Sequence, residues 1–134
     1  MAFAVGQHAS TSIELPHDYV NGTDIGFHIH WQGIAAPSGT DYVNWSIIYT
    51  IGAQDVVLPA ATTITKETAF DTRYEVLRTD FDAVDGSSLV FGTQILFDVK
   101  RVLAAGAAYA GDALIATIGI HYRTRWVNHW GPWR

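Results

Sequence analysis

The chain contains no cysteine, which excludes disulfides, thiolate metal sites and cysteine nucleophiles. Charge is scarce as well: Asp, Glu, Lys and Arg make up 16% of the 134 residues, well under the usual share of about a quarter. The 8 Lys and Arg gather into no basic cluster against 13 Asp and Glu, and the formal net charge is −5. Sequence-independent attraction to nucleic acid or to anionic lipid is therefore not expected. No long apolar run occurs, because residues 102–120 are interrupted by Gly106, Gly111, Asp112 and Gly119, which rules out a membrane-spanning helix there. Residues 1–8 lack the positive and apolar regions of a secretory signal, so export by that route is not expected. What the chain does have is 49% hydrophobic residues, enough for a core in one domain and too many for disorder over most of its length.

Helical periodicity is almost missing, while alternation at period two recurs between Gly, Pro, Asn and Asp punctuation. In residues 11–15, Ile13 and Leu15 share one face and Pro16 ends the run, since proline cannot donate to a ladder. Further on, Ile25, Phe27, Ile29 and Trp31 fall on one face and His28 and His30 on the other, as side chains of a strand must. Residues 42–51 direct Val43, Trp45, Ile47, Tyr49 and Ile51 inward and Asn44, Ser46 and Thr50 outward. Residues 60–70, rich in threonine, predict an edge strand or an extended loop. A strand over 73–81 follows, then a long β-rich stretch over 88–102 with a bulge expected at Gly92. Residues 104–112 predict a loop, with an Ala-rich helix as the competing expectation. The last strand, 113–122, directs Leu114, Ala116, Ile118, Ile120 and Tyr122 to one face and Thr117, Gly119 and His121 to the other. Seven or eight short strands without helical crossovers predict an all-β, two-sheet antiparallel sandwich of Greek-key or jelly-roll type. Its expected boundaries are an N-terminal arm at 1–10, the sandwich at 11–122 and a C-terminal arm at 123–134.

Catalytic constellations are weak. Gly22 followed by His28 and His30 resembles the first half of the cupin motif Gly-x5-His-x-His. The glutamate that should follow is replaced by Trp31, Gln32, Gly33, Ile34 and Ala35, and His121 on a late strand is a candidate third ligand. Because His28 and His30 lie opposite the expected core face, surface or interface histidines are the preferred reading, and no metal or other cofactor is assigned. No serine sits in a Gly-x-Ser-x-Gly elbow. The paired carboxylates Asp80 with Asp82 read as strand-end or loop residues, and Asp18 with Asp24 as turn formers. The expected class is non-enzymatic.

The last twelve residues hold three of the five tryptophans, Trp126, Trp130 and Trp133, together with Arg123, Arg125 and Arg134. Trp and Arg are enriched at interface hot spots, so this arm is expected to lie against a neighbouring subunit or partner, with folding back on its own sandwich as the alternative. Stacking of sugar rings on the same tryptophans is the chemical alternative, and the position of these residues on an arm rather than a rigid sheet weighs against it.

The stretch Leu15-Pro16-His17, Gly22-Thr23-Asp24 and His28-Ile29-His30-Trp31 resembles a family of small virion proteins of tailed bacteriophages. The likeness continues through Val43, Trp45 and Tyr49 and through Gly111-Asp112 with Gly119-Ile120-His121-Tyr122. It implies a jelly-roll-like domain of the virion, either a capsid decoration (cement) protein on the outer surface or a module of tail fibres and spikes that binds receptors or glycans. The chain departs from that pattern at its Trp-rich end. The expectation is a decoration protein made in the host cytoplasm, bridging major capsid subunits and self-associating, as a trimer first and a dimer second. Its interface residues would be Trp126, Trp130, Trp133, Arg125, Arg134, His28 and His30. At such an interface, protonation of the two histidines below about pH 6.5 would bring like charges together and loosen the contact; histidines on an open sheet face are the alternative.

Overall fold

A computed structural model describes residues 1–125. Eight strands occur in the order β1 (Ala2–Phe3), β2 (His8–Glu14), β3 (Gly26–Gly33), β4 (Asp41–Gly52), β5 (Thr62–Phe70), β6 (Leu77–Asp80), β7 (Gln94–Val102) and β8 (Ala113–His121). They form two four-stranded sheets, β1-β8-β3-β6 and β2-β7-β4-β5, with every neighbour antiparallel. The pairs nest: the first strand lies beside the last, the second beside the seventh, the third beside the sixth and the fourth beside the fifth. That nesting is a jelly roll. Among the described residues no helix is long and apolar enough to cross a membrane.

The core lies between the sheets and follows the alternation of the two central strands. Phe27, Ile29 and Trp31 from β3 meet Val43, Trp45 and Ile47 from β4, all essentially without solvent contact. Rings meet edge to face, with Trp31 and Trp45 centroids 6.1 Å apart and Phe27 and Phe97 5.2 Å apart, the geometry that aromatic quadrupoles favour. The Trp31 indole donates to Thr79 Oγ1 at 2.9 Å, so its polar edge is satisfied inside the core.

Several expectations are corrected. The segment taken as an N-terminal arm, residues 1–10, carries β1 and the start of β2. Only Leu77–Asp80 pairs within the stretch 73–81. Residues 88–93 are turns rather than strand, and Gly92 at φ +81° serves the turn rather than a bulge, since positive φ is cheap only for glycine. The bulge occurs instead where β3 meets β8: the register shifts between His30, opposite Thr117, and Trp31, opposite Ile115. The shift skips Ala116 and inverts the parity of the strand. Ala113 is therefore buried in the core, whereas Ala116, expected inward, is exposed. Residues 60–70 do form an edge strand, β5, and 104–112 a loop.

Candidate functional site

Outward positions of β3, β8 and β6 assemble a polar face. Cross-strand register places His28 between Gly119 and Asp80, and His30 between Thr117 and Arg78. His121 lies opposite Gly26, one outward position further along. The imidazoles meet edge to face, His28 and His121 at 4.3 Å and His28 and His30 at 5.1 Å between ring centroids. A glycine at 119 makes this contact feasible, because a Cβ there would stand 2.5 Å from His28 Cε1. The His28 ring thus covers the backbone of β8, and its Nδ1 is buried without a hydrogen-bond partner. Burial, the neighbouring His121 and His30, and Arg78 together hold the His28 pKa below the usual histidine value, against the opposing pull of Asp80. Asp80 is itself held low by hydrogen bonds from Arg78 Nε at 2.7 and 3.0 Å.

Beyond Gly26 the face opens into a cleft of about 460 Å³ lined by Asp24, Gly26, Phe81, His121, Tyr122 and Arg123, among others. Nothing lies within 4 Å of the point where a Gly26 Cβ would stand, so the glycine deepens the floor. The rim is fixed by backbone pairing: Val20 N–H donates to the Arg123 carbonyl at 2.9 Å, and Tyr19 bridges Thr124. Asp24 Oδ1 accepts from Gly86 N–H at 3.0 Å, the turn-forming use expected of it, and Asp18 accepts from Thr124 Oγ1 at 3.0 Å.

The histidines expected to face away from the core do so, gathered with His121. Arg125 lies in the described region: its N–H donates to the Asp18 carbonyl, its guanidinium to the His17 carbonyl at 2.8 Å, and it stands 5.8 Å over the Phe91 ring. Trp126, Trp130, Trp133 and Arg134 lie outside the described residues. The half-motif for a metal assembles differently from a ligand set, since among the described residues no group of three or more His, Cys, Asp or Glu is placed to hold an ion.

Sequence reasoning did not single out the cleft, although two outward glycines, Gly26 and Gly119, on strands flanking a histidine pair are a readable sign of a depression. It also passed over Arg101. That residue continues the inward series Ile95, Phe97, Val99 and is 2% exposed. Its guanidinium donates to the carbonyls of Phe3 at 2.9 Å, Gly111 at 2.5 Å and Tyr109 at 2.6 Å.

The described residues thus define a jelly-roll sandwich with a polar outer face and a cleft at one end of it. No protein-family model matches the chain, and no curated protein matches it. Among solved structures, that of TmCBM61 in complex with β-1,4-galactotriose aligns over 87% of this chain at 11% identity and a TM-score of 0.39. The alignment covers 62% of that protein, less than two thirds of its length.

Proposed function

We propose that this chain is a structural protein of a tailed-phage particle, a decoration protein that sits on the outer capsid surface, bridges major capsid subunits and associates with its own kind without catalysing a reaction. The observation that carries the reading is where apolar surface is left open. Loops at one end of the sandwich expose Val56, Val57, Leu58, Val90 and Phe91, Val57 to 90%, and loops at the other expose Val5, Ile34, Tyr74, Val76 and Leu103. Apolar groups grouped in loops, rather than scattered singly, mark contact surfaces. Two such ends on one rigid body suit a bridge between neighbours. Trp126, Trp130 and Trp133, which lie outside the described residues, are of the type enriched at interface hot spots.

A second reading, a tail-fibre or spike module that binds a receptor or glycan, draws support from the cleft lined by Asp24, His121 and Arg123. Quantitative mass spectrometry of particles purified from the source, scaled to the major capsid protein, separates the two. A ratio near stoichiometric supports decoration, a handful of copies moves the protein to the tail, and absence from particles overturns both.

A further inference from the structure

We propose that the cleft floored by Gly26 binds an acidic sugar, a saccharide unit bearing a carboxylate, with Arg123 taking the carboxylate and Asp24 and His121 taking ring hydroxyls. This deepens the second reading by naming a ligand class. Its test requires no particle, so it fails separately from the virion assignment.

The argument rests on which polar groups around the cleft are already engaged. Among the described residues the ion pairs are His8 with Asp98, Lys66 with Asp82 and Arg78 with Asp80. Arg123 is in none of them. The carboxylates at this end have other partners: Asp18 accepts from Thr124 Oγ1 and Tyr122 Oη, and Asp24 uses one oxygen for Gly86. In a chain of net charge −5, Arg123 lines the cleft without an ion-pair partner among the described residues, its backbone fixed by the Val20 hydrogen bond. A planar fork of donors matches a carboxylate. The second oxygen of Asp24 is an acceptor, and the His121 ring offers a donor and an acceptor. A ligand meeting all three needs both an anionic group and hydroxyls. Tyr122, 36% exposed, and Phe81 give apolar wall for the C–H face of a ring. A volume of about 460 Å³ lies within the ordinary range for small-ligand sites, roughly 300–1,000 Å³.

Two other depressions among the described residues lack this combination. The mouth between β1, β8 and β2 is lined chiefly by Met1, Phe3, Ala9, Ile115 and Ile118 and offers no charged side chain. On the outer face of the second sheet, Asp98 is already bound by His8 and Ser10 at 2.9 and 2.7 Å.

The experiment is titration of the full isotopically labelled chain, followed by amide chemical shifts, with digalacturonate and 3′-sialyllactose, and with lactose and sodium acetate for comparison. Acidic saccharides should shift Asp24, Gly26 and residues 121–124 with a Kd of about 1 mM, lactose and acetate at least about tenfold more weakly. Arg123→Ala should weaken the acidic sugar at least about fivefold, and Arg123→Lys less, since it keeps the charge and loses the fork. Unchanged shifts elsewhere in either variant establish that the fold is intact. Equal binding of lactose overturns the role of the carboxylate, and equal binding of acetate overturns the sugar. Wild-type affinity in Arg123→Ala overturns the site, as does the absence of shifts up to about 10 mM ligand.

Discussion

Arg101 brings a guanidinium into a core made mainly of rings and aliphatic chains. Burial lowers its pKa, opposed by Asp112 and Tyr109, yet an arginine stays charged in any protein setting. Three carbonyls from two separate segments compensate: Phe3 on β1, and Tyr109 and Gly111 in the loop before β8. The side chain therefore ties the first strand and that loop to β7. Replacing it with methionine keeps most of the volume and strands three carbonyl groups, at a cost of about 1–3 kcal/mol for each one left buried and unpaired. Arg101→Met should lower the free energy of unfolding by about 3 kcal/mol or more in urea titration; a loss below about 1 kcal/mol would mean that water reaches the carbonyls and the tie is ornamental. The residue was legible by parity in β7, two positions after Val99, but parity alone gives no hint of why a cation belongs inside. The carbonyls that answer this lie 98, 10 and 8 residues away in sequence.

Among the elements, β3 was legible residue by residue, because it lies inside its sheet with one face in the core and alternates strictly, and β4 was legible along its inward series Val43, Trp45 and Ile47, whereas Ser46, expected outward, is 3% exposed. β1 and β6, of two and four residues, are too short for a period to register and exist through their pairing with β8 and β3. The bulge in β8 was invisible because it depends on the register of two strands rather than on either sequence. Strands β3 and β8 create the imidazole cluster, whose half-motif was legible at His28 and His30 while the approach of His121 was not. Since the folded chain holds the His28 pKa down, the unfolded chain binds that proton more readily. The contribution of His28 to stability is complete above the ordinary histidine value of about 6.5 and is lost as pH falls through the lower folded value. Wild-type urea midpoints should accordingly fall between pH 7.5 and pH 5, and His28→Gln, which has no proton to gain, should show a shallower fall. An identical pH profile in the variant would remove His28 from the account.

For the whole molecule, the nested strand order follows from connections that repeatedly cross from one sheet to the other, and class and strand number were legible where this order was not. No local signal states that the first strand should lie beside the eighth. The end of the chain shows why boundaries matter to the assembly proposal. An arm beginning at residue 123 was expected, yet residues 123–125 belong to the body: Val20 donates to Arg123, Tyr19 bridges Thr124, and Arg125 donates to Asp18. Tyr19 beneath them is fully buried and its hydroxyl donates to the Thr23 carbonyl. Ending the chain after Tyr122 should therefore lower stability by about 2 kcal/mol or more, through the lost backbone bonds and the uncovering of Tyr19. Ending it after Arg125 should leave the urea midpoint close to that of the full chain while removing Trp126, Trp130 and Trp133. Under the decoration reading, the shorter of these cuts confounds folding with assembly, and the longer one isolates the arm. Sedimentation of the full chain and of the 1–125 chain at equal concentration then decides: a full chain that associates beside a 1–125 chain that stays monomeric places self-association in the last nine residues. Equal association of both moves it to the exposed loops around Val57 and Phe91, where Val57→Asp should disperse it.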